Sequence, residues 1–312
     1  MHELANIILP VFGLMGVGYG AARIGLLPGK VAEGLGLYVF NLAIPLLAFR
    51  VISKGSLPDV SPWLYWLSYF AGVAGVWLLV ALLARFLLRS SPLVAVMAGC
   101  GASYSNTVML GLPLVLTAFG EAGGVPLLLL LSVHLPVMLF AGIASGEWAQ
   151  REGAADWRKI ARDTVVAVTT NPIIIGIAAA LLWRVTGWDM PFAPAKIINT
   201  IADTAIPCAL IAMGLTLARY GLKGELGLVA IVLAGKLVLH PLIVFVVAHI
   251  VGLPPIWAGV ATLFAAAPTG INAYLLTNRY QAGAVAVSGA ILLGSGLSIV
   301  TISLLLRYLT VP

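Results

Sequence analysis

An apolar stretch about twenty residues long, the length a helix needs to cross a bilayer core, recurs ten times along the chain. The runs fall at roughly 4–22, 31–52, 62–88, 92–119, 123–148, 163–184, 195–218, 225–251, 255–279 and 282–308. In lipid only helices and closed barrels satisfy every backbone polar group. The runs lack the strict alternation of barrel strands. The fold class expected is therefore an all-α polytopic membrane protein with ten transmembrane helices. Composition agrees: 17 Lys and Arg and 11 Asp and Glu in 312 residues make 9% charged against 61% apolar, where soluble domains carry about 25% charged residues. A soluble enzyme and a disordered chain are both excluded. Cys100 and Cys208 lie in apolar runs and cannot build a disulfide framework, and no Cys/His cluster has zinc spacing. The net charge of +6 does not mark a nucleic-acid binder, because the basic residues stand singly between runs.

The opening residues Met1-His2-Glu3-Leu4-Ala5-Asn6 have no basic n-region, so the first run is expected to be a retained helix. One substantial polar stretch, Gln150 to Asp163, separates five runs from five. The domains expected are a first five-helix repeat at 1–149, a cytoplasmic linker at 150–162 and a second five-helix repeat at 163–312. With the N-terminus outside, inner loops hold 11 Lys and Arg, including Arg151, Arg158, Lys159, Arg162, Arg219 and Lys223. Outer loops hold 5, namely Arg50, Lys54, Arg184, Lys196 and Arg307. The positive-inside rule then places both termini outside, in the inner (plasma) membrane of the cell.

The two halves share weak internal similarity. Leu9-Pro10 corresponds to Asn171-Pro172 and Ile44-Pro45 to Ile206-Pro207, both at an offset of 162, which sets Asn41 on Asp203. Glu121-Ala122-Gly123 corresponds to Gln281-Ala282-Gly283 at an offset of 160. Five spans per half make the second half insert upside down, the inverted repeat of secondary transporters.

The fourth and ninth runs, in matching positions, are interrupted. One reads Ser103-Tyr104-Ser105-Asn106-Thr107 and continues to Gly111-Leu112-Pro113; the other reads Ala267-Pro268-Thr269-Gly270-Ile271-Asn272. Proline and glycine break helices, and backbone freed in lipid must line a protein-buried cavity or be re-satisfied. Each run is expected to become two half-helices meeting near the midplane. The N-termini of the second halves suit an anion, and the carbonyls ending the first halves suit a cation. Asn106 and Asn272 both donate and accept there. The candidate substrate site is thus Ser105, Asn106, Thr107, Pro113, Pro268, Thr269 and Asn272.

Other polar residues inside runs are candidates for coupling or ion pairing. Asn41 and Asp203 each precede a proline, Pro45 or Pro207, by one helical turn. Asp203 reads as functional or as half of a structural ion pair. Lys236, followed one turn later by His240, reads as an anion contact or a surrogate for a coupling cation; its structural reading is a tether to Asp203 or to the broken backbone. His134 reads as a proton relay or an interhelical hydrogen bond. Glu121 and Gln281 read as loop caps, and Gly16-Val17-Gly18-Tyr19-Gly20 as a G-x-x-x-G packing face.

These motifs resemble the auxin efflux carrier family, the plant PIN-like carriers and their bacterial relatives. The stretches that carry the likeness are Ile8-Leu9-Pro10-Val11-Phe12, Phe40-Asn41-Leu42-Ala43-Ile44-Pro45, Ser105 to Pro113, Asn171-Pro172, Ile206-Pro207 and Ala267 to Asn272. The resemblance implies a ten-helix inverted repeat like that of the bile-acid sodium symporters, in which helices 4 and 9 cross at their breaks. It implies a scaffold and homodimer side made of helices 1, 2, 6 and 7, and a moving transport domain made of helices 3–5 and 8–10. By position Asn106 and Pro113 match the helix-4 motif, and Pro268 and Asn272 the helix-9 motif. Family substrates are organic anions, auxin in plants and malonate-like carboxylates in bacteria. The short central loop departs from the long-loop plant carriers.

The leading expectation is a secondary transporter of a small organic anion, working by elevator-type alternating access in the lipid bilayer. No cofactor and no enzymatic activity are expected; the coupling ion, sodium or a proton, stays open. A sodium/proton-type antiporter of similar fold and a non-transporting receptor are the alternatives.

Overall fold

The computed structural model describes residues 2–54, 60–150, 157–221 and 226–309. Arg151 and Lys223, used in the charge argument above, lie outside them. The described residues form helices α1 (His2–Arg23), α2 (Gly29–Tyr38), α3 (Ile44–Lys54), α4 (Pro62–Phe86), α5 (Pro92–Ser103), α6 (Leu112–Phe119), α7 (Gly124–Gln150) and α8 (Trp157–Thr169). They continue with α9 (Pro172–Thr186), α10 (Phe192–Asp203), α11 (Ala205–Leu217), α12 (Leu226–Ala234), α13 (His240–Ile250), α14 (Pro255–Ala266), α15 (Ile271–Arg279) and α16 (Ala284–Leu305). Among these residues the chain is all-helical, with one isolated β-bridge.

Six stretches of the described residues are long and apolar enough to cross a membrane: 29–54, 62–86, 107–150, 192–217, 226–250 and 284–305. A seventh joins part of α8 to α9 across a 56° bend. The helices opening the fourth and ninth runs, α5 and α14, are only 12 residues each, because both stop at a break.

Proline shapes the long spans in a repeated way. Three π-helical segments, Val39–Ala43, Thr107–Gly111 and Gly235–Leu239, each end two residues before a proline: Pro45, Pro113 and Pro241. A proline lacks the N–H for its i−4 bond, and its ring collides with that carbonyl. Widening the preceding turn makes room without ending the span. Asn41, Thr107 and Lys236 all lie on these widened turns. Pro207 is served differently, by a one-residue interruption at Thr204 between α10 and α11.

Small residues set the packing of the first group of helices. A Cβ added at Gly214 would overlap the Met15 carbonyl, and one at Gly18 the Ile211 carbonyl, so the backbones of α1 and α11 touch. Gly176 of α9 meets the Pro45 carbonyl of α3 in the same way. The expected G-x-x-x-G face is corrected here: Gly16 and Gly20 have open space around them, and Gly18 between them makes the close approach. The second group packs around α4, which contacts α5, α13 and α14. Tyr65, Tyr69, Val76 and Val80 of α4 are fully buried.

Candidate functional site

The two breaks meet. After α5 the chain turns extended at Tyr104, and after α14 it stays extended from Ala267 to Gly270. Ser105 and Thr269 pair as an antiparallel bridge. The Asn106 N–H donates to the Pro268 carbonyl at 2.8 Å, and the Gly270 N–H to the Tyr104 carbonyl at 2.9 Å. Unpaired backbone groups at this depth would cost several kcal/mol each, on the order of a polar group moved to hydrocarbon. Each break therefore supplies the partners that the other lacks. Gly270 permits the approach, since a Cβ there would sit 2.9 Å from the Ser105 carbonyl oxygen.

The side chains divide the labour. Asn106 Oδ1 accepts from the Met109 N–H at 3.3 Å and so caps the half-helix that follows it, while its Nδ2 points to Met213 Sδ of α11 at 3.1 Å. Thr269 Oγ1 donates to the Gly101 carbonyl at 3.0 Å, tying the second break to the last turn of α5. Thr107 is buried beside them. The start of α15 has no side-chain cap; in place of the side-chain oxygen that Asn106 provides, the Ala273 N–H donates to the Gly270 carbonyl at 3.1 Å. Asn272 lies in that first turn, half-buried. It approaches the buried Tyr104 hydroxyl, which has no partner of closer hydrogen-bond geometry among the described residues. Pro113 stands on α6, beyond the widened turn.

Lys236 reaches the meeting of the two breaks from the widened turn between α12 and α13. It is 0% exposed. Its Nζ donates to Ser105 Oγ at 2.8 Å and to the Ala265 carbonyl, and contacts His240 Nδ1 at 2.9 Å. Ala265 belongs to the last turn of α14, where helix carbonyls carry partial negative charge. The Lys236 Nζ thus occupies the place where the carbonyl end of the first half-helix suits a donor or a cation. Burying it costs several kcal/mol, which three well-placed acceptors offset. Tyr69 of α4 extends the network: its hydroxyl donates to Ser105 Oγ at 3.4 Å and meets His134 Nδ1 of α7 at 3.1 Å.

The structure therefore brings Ser105, Asn106, Thr107, Pro268, Thr269, Asn272, Lys236, His240 and His134 into one region. It leaves Asn41 and Asp203 outside it. Asn41 Nδ2 donates to the Leu37 carbonyl of its own helix at 2.9 Å, and Asp203 pairs with Arg50 Nη1 at 2.6 Å. Of the two tethers considered for Lys236, its contact is with the broken backbone and not with Asp203. Tyr69 and Met213 went unread in the sequence, because one tyrosine or methionine in an apolar run carries no pattern.

A profile of a family described as "Membrane transport protein" matches residues 4–306. The chain belongs to this family. The protein is an integral membrane protein of the auxin efflux carrier (PIN-like) type, as its motifs suggested. One relative, from Rhizobium meliloti (strain 1021), is named "Putative malonate transporter"; it is 30% identical over 315 residues, covering 98% of this chain and 96% of the relative. Another, "Auxin efflux carrier component 8" of Arabidopsis thaliana, is 23% identical over 352 residues and 94% of each chain.

Proposed function

We propose that the protein is a secondary carrier of a small carboxylate, malonate-like or auxin-like, that binds at the meeting of the two breaks. The observation that carries this reading is the antiparallel pairing of Ser105 with Thr269. It sets the uncapped start of α15 close to a buried ammonium, and both favour negative charge. The buried polar groups there are hydroxyls, amides, imidazoles and a lysine, which suits an anion better than the carboxylate cage a cation antiporter needs. The names of the two relatives support the same substrate class.

Ten spans in a five-plus-five inverted repeat, with helices 4 and 9 crossing, fit this reading. The packing of α1 on α11 and of α9 on α3 is what exchanging the two halves would produce. In this reading α1–α3 and α8–α11 are the scaffold, through which a homodimer forms. The transport domain, α4–α7 and α12–α16, moves as an elevator past it. The termini face outward across the inner membrane. In this reading Lys236 supplies the positive charge that the carboxylate meets between the two breaks.

The test is uptake into liposomes holding the purified protein, with labelled malonate, other small carboxylates and indole acetate, each with and without sodium and pH gradients. Saturable uptake that falls at least about tenfold in Asn106→Ala is the expected result. Uptake indifferent to that change would move the site elsewhere, and no carboxylate uptake under any gradient would overturn the reading.

A further inference from the structure

The helical stretches 29–54 and 192–217 lie against each other, α2 on α11 and α3 on α10, and two ion pairs link the first stretch to Asp203, midway along the second, and to Arg219, just after it. In one pair Arg50 Nη1 donates to Asp203 Oδ1 at 2.6 Å; in the other Arg219 Nη1 donates to Glu33 Oε1 at 2.7 Å. Glu33 and Arg50 share one span and stand roughly 25 Å apart along it at the helical rise. The two pairs are therefore well separated along these spans, one toward each side of the Pro45 turn.

Each arginine lines a cavity shared with the other group of helices. Arg50 lines two cavities; the one of about 610 Å³ is closed on its far side by Leu116, Glu121 and Val125, and holds Lys54 as a second cation and Glu121 as a second carboxylate beside Asp203. The Arg219 cavity, about 670 Å³, is closed by Tyr274, Asn278 and Gln281. Glu121 and Gln281, the residues matched at an offset of 160, line one cavity each, while Asp203 lines the Arg50 cavity and Glu33 stands outside the lining of the Arg219 cavity. Each is large enough for a small carboxylate. Both arginines are engaged through a single Nη, although a guanidinium fork takes a carboxylate with two nitrogens. Partly exposed pairs of this kind are weak and open readily.

We propose that Arg50 and Arg219 are the receiving sites for the anion at the two ends of its path. At one face the substrate carboxylate displaces Asp203 from Arg50; at the other it displaces Glu33 from Arg219. The resident carboxylates neutralise each arginine when its cavity is empty and compete the substrate off again. This inference rests on the anion-carrier reading above and adds to it two sites away from the crossing.

The experiment is labelled malonate uptake into right-side-out and inside-out membrane vesicles with ion gradients collapsed, for wild type, Arg50→Gln, Arg219→Gln and Asp203→Asn. Arg50→Gln is expected to raise KM about tenfold or more in one vesicle orientation only, and Arg219→Gln in the other only. The ratio of maximal rate to KM must fall equally in both directions, so at the opposite face the loss shows in the maximal rate. Asp203→Asn frees Arg50 and is expected to lower KM about threefold or more at the Arg50 face. That variant keeps the arginine, so it decides the matter even if Arg50→Gln fails to reach the membrane. KM unchanged at both faces, or raised equally at both, overturns the two receiving sites while leaving the carrier reading intact. Wild-type vesicles that take up no malonate or other small carboxylate in either orientation overturn the carrier reading itself.

Discussion

Lys236 brings an amine nitrogen into the centre of the fold, where the groups that meet it are a hydroxyl, a carbonyl and an imidazole. Lys236→Met removes the charge at nearly the same length. The lost hydrogen bonds cost about 1–3 kcal/mol and the relieved desolvation returns a similar amount. Melting is therefore expected to stay within about 5 °C of wild type, while carboxylate uptake falls at least about tenfold; full uptake in this variant would remove the ammonium from the mechanism. Asn106 separates two roles in the same manner. Asn106→Asp keeps an oxygen to cap the Met109 N–H, and an acid is welcome at a helix N-terminus. The variant keeps the cap but turns its second oxygen onto Met213 Sδ, so it should melt below wild type and lose anion uptake by repulsion, whereas uptake that survives would make Asn106 a cap and no more.

At the scale of elements, α1 and α11 approach until backbone meets backbone at Gly18 and Gly214. Gly214→Val would push the helices apart. Overpacking of this kind costs about 1–3 kcal/mol and more where the obstacle is backbone, so a fall in melting temperature and loss of monodisperse protein in detergent are expected. Gly16→Ala meets open space and gains helix propensity, about 0.5–1 kcal/mol, so its melting temperature should hold or rise. Equal losses in both variants would mean that α1 does not pack as described. The paired breaks belong to the same scale: neither α5 nor α14 can end where it does unless the other presents its Tyr104 and Pro268 carbonyls.

For the whole molecule the elevator reading makes a mechanical demand: α3 and α7 must slide past each other. A Cβ at Gly124 of α7 would lie 3.7 Å from the Val51 Cβ of α3, inside the range a disulfide bridges. Val51→Cys with Gly124→Cys, in a background of Cys100→Ala and Cys208→Ser, should cross-link under oxidation. Uptake should stop when the bond forms and return with dithiothreitol. A cross-linked protein that transports at the uncross-linked rate would exclude relative motion of these helices.

Much of this was legible in the residues. The recurrence of apolar runs fixed an all-helical membrane protein, because lipid leaves the backbone no other solution among such runs. The prolines, glycines and asparagines at 103–113 and 267–272 marked where the fourth and ninth runs break, because each such residue weakens helix locally. The family followed from the order of those motifs. What the sequence left open was every choice made between distant groups. Lys236 had two tethers available, and only the approach of the α12–α13 turn to the end of α14 put it on the Ala265 carbonyl. Asp203 looked intramembrane by position, yet the packing of α10 on α3 gave it to Arg50. Gly16 and Gly20 had the spacing for close packing, and the rotation of α1 chose Gly18 instead. Local signals are written in neighbouring residues and can be read one turn at a time. Partners 131 or 153 positions apart are selected by how whole helices settle against one another, and that is decided only in the folded chain.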